Sequence, residues 1–463
     1  TVSVQGTGNT LVSTTGTALN VSNTSIAAAG LSFQSVSANG AGSGIVLNNT
    51  GTAAGLTVTG NGSAGSGGTI QNTTSHGILF TNTSAVSLNW MNIQGSGDDG
   101  IFGTRVAGLA LGNVNVTNNG NSAADDGIYL VNPSGALAFT NVVATGNAHN
   151  NLWVYDSDNS GGNTTLTITG GSFSANSAAN GNHGALIDFL GNATLGVSTI
   201  NGTTFQNNKV MGLQVLTGGS AAITDLTINN NTFADTGTGN SQEISMDISK
   251  AGTSTLNSKV LNNNTIHGHY SHGMNFFTAA GAGTTGVYNA RIAGNVIGDA
   301  ATAGSGSAIG NCARININGD ADAAVLVNGN TMRECPVGRG IEAIARNGTG
   351  GLDLTVTNNA INHVNVGFLP GTSNYPLAAI FAQSNAVTIP NTLRADIRNN
   401  TVPTGPSFDA ISTFIGVVET GTSTCQVVGT GANPTAVLTA NNTGSASANP
   451  GCSLTPGPIT TPP

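Results

Sequence analysis

The sequence predicts an all-β solenoid, a chain wound into stacked coils of parallel strands. Two self-similar rows and one compositional fact predict it. The first row reads apolar-x-apolar, a polar turn with Asn, then one more apolar residue. It recurs as "LTINNNTFADT" (226–236), "VLNNNTIHGH" (260–269), "RIAGNVIGD" (291–299), "VLVNGNTMREC" (325–335), "LTVTNNAINHV" (354–364) and "ADIRNNTVPTG" (395–405). The second row reads Gly-apolar-x-apolar, as in "GIVL" (44–47), "GILF" (77–80), "GIFG" (100–103), "GIYL" (127–130), "GLQV" (212–215), "GMNF" (273–276) and "GIEAI" (340–344). The compositional fact is that 7% of the 463 residues are charged while 67 are Gly.

Each element follows from these rows. Period-two stretches such as "LTVT", "LTIT" and "LNVS" are strands with one face buried. Repeats holding two or three such strands, without helical periodicity, bury little alone and make a continuous core when stacked. Neighbouring coils then lie ~4.8 Å apart, so a residue at one place in every coil stacks on itself. Asn231, Asn264, Asn295, Asn330, Asn359 and Asn400 recur at spacings of 33, 31, 35, 29 and 41, and their amides are expected to form a ladder along the axis. The scarcity of charge has the same origin, because like charges stacked at that distance repel. We expect about 14 coils of this kind in one domain over residues 1–452, followed by a Pro-rich linker, "TPGPITTPP", within 453–463.

Composition also excludes function classes. A hydrophobic share of 38% with a net charge of −9 is unlike charge-driven disorder. Eleven Lys and Arg spread along the chain leave no basic footprint for nucleic acid. No apolar run reaches the ~20 residues of a membrane span. The opening "TVSVQGTGNT" reads as strand and turn, not as a signal peptide, so the chain reads as a mature or excised piece. Four cysteines fall in two local pairs about one coil apart, without C-x-x-C or neighbouring His. They predict Cys312–Cys335 and Cys425–Cys452 disulfides, and hence a secreted or cell-surface protein.

Four of the 20 acidic residues form two copies of Asp-Asp-Gly-Ile, at 98–101 and 125–128. In the coil frame Asp98 and Asp99 stack on Asp125 and Asp126, at roughly 5 Å. The same position carries His76 one coil earlier, and His149, Asn150 and His183 later, with Lys209, His272 and Arg339 further along. With Ile101, Ile128 and Leu152 pointing inward, Phe102, Tyr129 and Trp153 point out as an aromatic row, and Tyr155 shares their face. Aromatic platforms beside carboxylates suit sugar rings, so Phe102, Tyr129, Trp153, Tyr155, Asp99 and Asp126 are the candidate ligand contacts. Four readings of the Asp pairs stay open: strand capping, calcium binding through oxygen ligands, glycan contact and catalysis. Capping is the expectation, with one Asp of each pair facing solvent. "DSDNSGG" (156–162) has calcium-loop oxygens but no twelfth-position Glu. His267, His269 and His272 in "HGHYSH" are read as a solvated turn rather than a metal site.

With its coils, Asn row and Gly row, the chain resembles the right-handed parallel β-helix repeat proteins of the pectate-lyase-like class. Its low charge and Asn/Thr/Gly wealth look most like repeat regions of large bacterial surface adhesins. The resemblance implies a structural or adhesive shaft with glycan as partner and no required cofactor, calcium being the cation it would take. It also implies an alternative, a polysaccharide hydrolase or lyase. Polygalacturonase-type hydrolases carry Asp-containing motifs, Asp-Asp and Gly-His-Gly on successive coils, onto which Asp98, Asp99, Asp125, Asp126 and His183 map as catalytic candidates. Here "NHG" replaces Gly-His-Gly two coils later, and Arg105 stands alone where an Arg-x-Lys would bind uronate. Lys209 has no basic partner for lyase chemistry. An ice-binding face would need a regular Thr-x-Thr row, which Thr227 and Thr355 do not make.

Overall fold

The computed structural model describes residues 1–463 except 177–180, 235–242, 282, 365–377, 387–388 and 403–414. The chain forms two compact units, Thr1–Leu216 and Thr217–Pro463. Both units are parallel β-solenoids built from the same coil, which is why no change of periodicity marks the boundary.

In the first unit each coil contributes to three parallel ladders. One runs through Leu19–Ser22, Ile45–Asn48, Ile78–Asn89, Ile101–Gly112, Ile128–Val131, Leu152–Asp156 and His183–Phe189. A second includes Ser134–Thr140, Thr164–Thr169 and Thr194–Asn201. A third takes short strands such as Met91–Gln94, Asn115–Thr117 and Val143–Thr145. The inward residues stack on their own kind. Ile45, Ile78, Ile101, Ile128, Leu152 and Ala185 share one register and are fully buried.

The second unit repeats the plan. Ile244–Lys250, Met274–Thr278, Ala313–Asn318, Ile341–Arg346, Ile380–Ala386 and Ile415–Gly421 form one ladder. Thr255–Leu261, Val287–Ala293, Asp322–Asn328, Gly351–Thr357, Thr392–Arg398 and Thr424–Val428 form another. The expected Asn ladder is present. Nδ2 of Asn231 donates to Oδ1 of Asn264 at 3.0 Å, and the chain of donors continues through Asn295, Asn330, Asn359 and Asn400 to Asn442 at 2.8–3.0 Å. The residue before each ladder Asn explains the recurring Asn-Asn and Gly-Asn dipeptides. Asn230, Asn263, Gly294, Gly329, Asn358 and Asn399 all have φ between 55° and 69°, the left-handed region that Gly and Asn tolerate best.

Both predicted disulfides form, Cys312–Cys335 with Cα atoms 5.8 Å apart and Cys425–Cys452 with 4.6 Å. The Pro-rich end departs from a linker. Ser453–Thr455 is a strand paired to Thr424–Val428, and the Thr460 amide donates to Asp353 Oδ2 at 2.9 Å. Leu454 continues the inward row after Val427, and the Thr460 contact is made to a residue 107 positions earlier.

Candidate carbohydrate-contact face of the first unit

The glycine of each Asp-Asp-Gly-Ile copy is fixed by close approach of backbone. A Cβ on Gly77 would lie 2.6 Å from the Gly100 carbonyl, one on Gly100 2.6 Å from the Gly127 carbonyl, and one on Gly127 2.6 Å from the Asn151 carbonyl. Successive coils therefore close tightly at this corner and hold the preceding residue in one column, His76, Asp99, Asp126, Asn150 and His183, with Asn151 in the glycine's place after Asn150.

Three of these side chains cap the next coil. Asp99 Oδ1 accepts from the Asp126 amide at 2.5 Å, Asp126 Oδ1 from the Asn150 amide at 2.8 Å, and Asn150 Oδ1 from the His183 amide at 3.1 Å. This is the expected capping, by the second Asp of each pair. The first Asp of each pair does not stack on its counterpart. Asp98 has a side chain 41% exposed, whereas Asp125 is buried and accepts from the Asn121 and Ser122 amides and the Ser122 hydroxyl, each at 2.8 Å. The turn at 121–125 offers Asp125 three donors, so it folds back instead of facing solvent.

The outward register is as expected. Leu79, Phe102, Tyr129, Trp153 and Leu186 pair in sequence, with Tyr155 opposite Asp188 in the adjoining column. The rings form a continuous array. Phe102 and Tyr129 have centroids 5.5 Å apart, Tyr129 and Trp153 stack at 4.5 Å and 15°, and Tyr155 meets Trp153 edge-on at 6.0 Å. His76 extends the array by stacking on Phe102 at 4.7 Å, a contact that reading His76 as a polar row member alone does not foresee.

Electrostatics around the rings are dominated by burial. Burial pushes the Asp99 carboxyl up to about 6 against the opposing pull of His76, and raises Asp126 against the pull of His149. Burial alone pushes Asp188 up to about 6. Burial and the nearby Asp126 and Asp99 push the Tyr129 hydroxyl up to about 12. His76 Nδ1 lies 3.2 Å from Asp99 Oδ2 and 3.6 Å from Asp98 Oδ2, and His149 Nδ1 lies 3.1 Å from Asp126 Oδ1. Asp126 Oδ2, Trp153 Nε1 and Asp188 Oδ1 are buried without a hydrogen-bond partner. Buried polar atoms are nearly always paired in folded proteins, so these three stand out beside the rings.

The catalytic mapping is only partly supported by the geometry. Asp99 and Asp126 lie on adjacent coils beside the rings, but Asp125 is held in its own turn. His183 is buried, its Nδ1 has no partner, and burial and His149 push its imidazole down to about 3. A neutral, enclosed imidazole is a poor proton donor to substrate. His76, Asp98 and Asp99 offer one nitrogen and two carboxylate oxygens within 4.8 Å of one another, short of the six to eight oxygens that calcium takes. In "DSDNSGG", Asp158 is engaged by the Ser160 amide, Asn132 and Arg105, which makes it a capped turn.

Other sequence candidates lie apart from the rings. The Lys209 amide donates to Asn176 Oδ1. In the second unit Arg339 pairs with Glu342 and sits over the Phe381 ring at 4.0 Å. His269 is buried rather than solvated, pushed down to about 3 by burial, and His272 Nδ1 accepts from the Asn311 amide. The column through Thr227 continues as Lys259, Arg291, Leu326, Thr355 and Asp396, with no regular Thr row. Asp188 was missed, although carrying the period-two alternation one coil beyond Trp153 and Tyr155 places it on the outer face. No protein-family model matches the chain, and neither the curated proteins nor the solved structures contain a match.

Proposed function

We propose that this chain is a secreted or cell-surface bacterial β-solenoid module that serves as a structural and adhesive shaft and contacts glycan through the first unit. The observation that carries the reading is the outward array of Phe102, Tyr129, Trp153 and Tyr155, flanked by carboxylates and by buried polar atoms without partners. Sugar rings present apolar C–H faces to such platforms while their hydroxyls satisfy polar groups at the rim. Two disulfides support an oxidising compartment, and among the described residues no helix is long and apolar enough to cross a membrane.

A panel of polysaccharides, scored for both binding and reducing-sugar release, tests the proposal. Binding without release is expected, weakened about tenfold or more by Trp153→Ala with the circular dichroism spectrum unchanged, as the loss of ~1.4 kcal/mol or more requires. Failure of every glycan to bind would overturn it. The hydrolase alternative is favoured by one observation, the paired Asp99 and Asp126 carboxyls both raised by burial. Reducing-sugar release abolished by Asp99→Asn or Asp126→Asn, with the fold intact, would establish that alternative.

A further inference from the structure

The charge of the first unit is distributed in an unusual way. Residues 1–216 contain seven Asp and no Glu, and all seven lie between Asp98 and Asp188. The basic residues of the same span are Arg105 and Lys209. Arg105 is paired with Asp158 at 3.1 Å, on the turn at 156–162. Of the other six, Asp156 is buried on the inward side of its strand and Asp125 is held in its own turn. Asp98, Asp99, Asp126 and Asp188 lie around the ring array, and His76 beside Asp99 and His149 beside Asp126 offset at most two of those charges.

Two carboxylates show what is missing. Asp188 is 8% exposed, its Oδ1 is buried without a hydrogen-bond partner, and it stands in the outer column next to Tyr155. Asp126 is fully buried with Oδ2 unpartnered, one coil from Asp99. An anion in this place meets like charge in a partly desolvated setting, where Coulomb terms are larger than in water. A neutral sugar stacks on the rings but leaves the negative field uncompensated. A cation satisfies both features, because an ammonium donates three hydrogen bonds to carboxylate oxygens and is attracted to the faces of Trp and Tyr.

We infer that this face selects glycans built of cationic amino sugars, hexosamines with a free amine, over neutral and uronic-acid polymers. The inference rests on the glycan reading above and names its ligand class. In the bound state the amine of one residue sits at Asp188 beside Tyr155, and neighbouring sugar rings lie along Trp153, Tyr129 and Phe102. The N-acetylated form of the same sugar keeps the ring stacking and loses the charge, so it isolates the electrostatic contribution.

The test uses isothermal titration of the whole chain with four oligosaccharides of equal length: oligoglucosamine, its N-acetylated counterpart, a neutral β-glucan and oligogalacturonate. Measurements are made at about pH 6.5, above the Asp188 carboxyl at about 6, at low and at physiological salt. Oligoglucosamine is expected to bind about tenfold or more tighter than the N-acetylated form, with the advantage shrinking as salt screens exposed charge. Asp188→Asn should lower oligoglucosamine affinity about tenfold and leave the N-acetylated form unchanged, whereas Trp153→Ala should weaken both. The salt dependence of the unmodified chain serves as the readout should the Asn variant fold poorly. Equal affinity for the charged and acetylated forms, or a preference for oligogalacturonate, would overturn the amino-sugar assignment and leave glycan contact standing. Absence of binding to all four would remove both.

Discussion

Replacing Asn330 by Ala tests the interior of the second unit most directly. Asn330 is 1% exposed and sits mid-ladder. Its Nδ2 donates to the Ile292 carbonyl at 2.9 Å and to Asn359 Oδ1 at 3.0 Å, while its Oδ1 accepts from the Asn295 backbone amide at 2.9 Å and from Asn295 Nδ2 at 3.0 Å. The Ala variant leaves the Asn295 N–H and one Asn295 amide proton without acceptors, since the other proton stays on the Val260 carbonyl. Each buried, unsatisfied group costs about 1–3 kcal/mol, so the pair costs about 2–6 kcal/mol. Solenoid coils interact with their neighbours alone, so the loss is best read locally, by amide hydrogen exchange. The Asn295 amide should exchange faster by about thirtyfold or more, with smaller effects several coils away. Asn399→Gly is the control: Asn399 is exposed with φ 57°, a conformation Gly adopts freely, and it should leave exchange unchanged. Equal exchange in the Asn330→Ala variant and the parent protein would refute the ladder as a source of stability.

Three further outcomes are expected. The Asp188 carboxyl, raised from 3.8 to about 6 by burial, keeps its proton in the folded state where the unfolded chain has lost it, so its contribution to stability falls as pH rises from about 4 to 6. Asp188→Asn should therefore raise the melting temperature at pH 7 by the equivalent of roughly 1–2 kcal/mol after solvent screening, with the gain vanishing near pH 4; a gain independent of pH would refute this. Gly100→Ala forces a Cβ to 2.6 Å from the Gly127 carbonyl and should cost about 1–3 kcal/mol in chemical denaturation, while Gly42→Ala, with nothing within 4 Å, should be neutral within about 0.5 kcal/mol. Reduction of Cys425–Cys452, which closes a separation of 27 residues, should cost about 3.5 kcal/mol by chain entropy, and peptide mapping should find no other partner for either cysteine.

The fold was legible because a coil repeats its requirements. The inward Ile101 and Ile128, the ladder Asn264 and Asn295, and the close-packed Gly100 and Gly127 each recur wherever the same neighbour recurs above and below. The aromatic array was legible for the same reason, since alternation fixes which residues face out once one inward residue is known. Features set by a single coil were not. Asp125 repeats Asp98 in sequence, yet its fate is decided by the Ser122 turn, which the earlier coil lacks. Asp188 lies in a coil without the Asp-Asp-Gly mark. The return of Thr460 to Asp353 depends on a contact 107 residues away, which no local pattern encodes.

The ladder in the second unit also bears on how such a chain can change. Its successive amides are separated by 33, 31, 35, 29, 41 and 42 residues, yet every side-chain contact keeps the same 2.8–3.0 Å. Registration is thus reset once per turn of the solenoid, and a difference in length between two ladder positions does not propagate to the next. Residues can be gained or lost in a turn without moving any other coil out of alignment. A whole period can also be removed: excising residues 265–295 would set Asn264 against Asn330 and delete one strand from each ladder together. Length variation and changes in repeat number are both open to this chain while its interior stays the same.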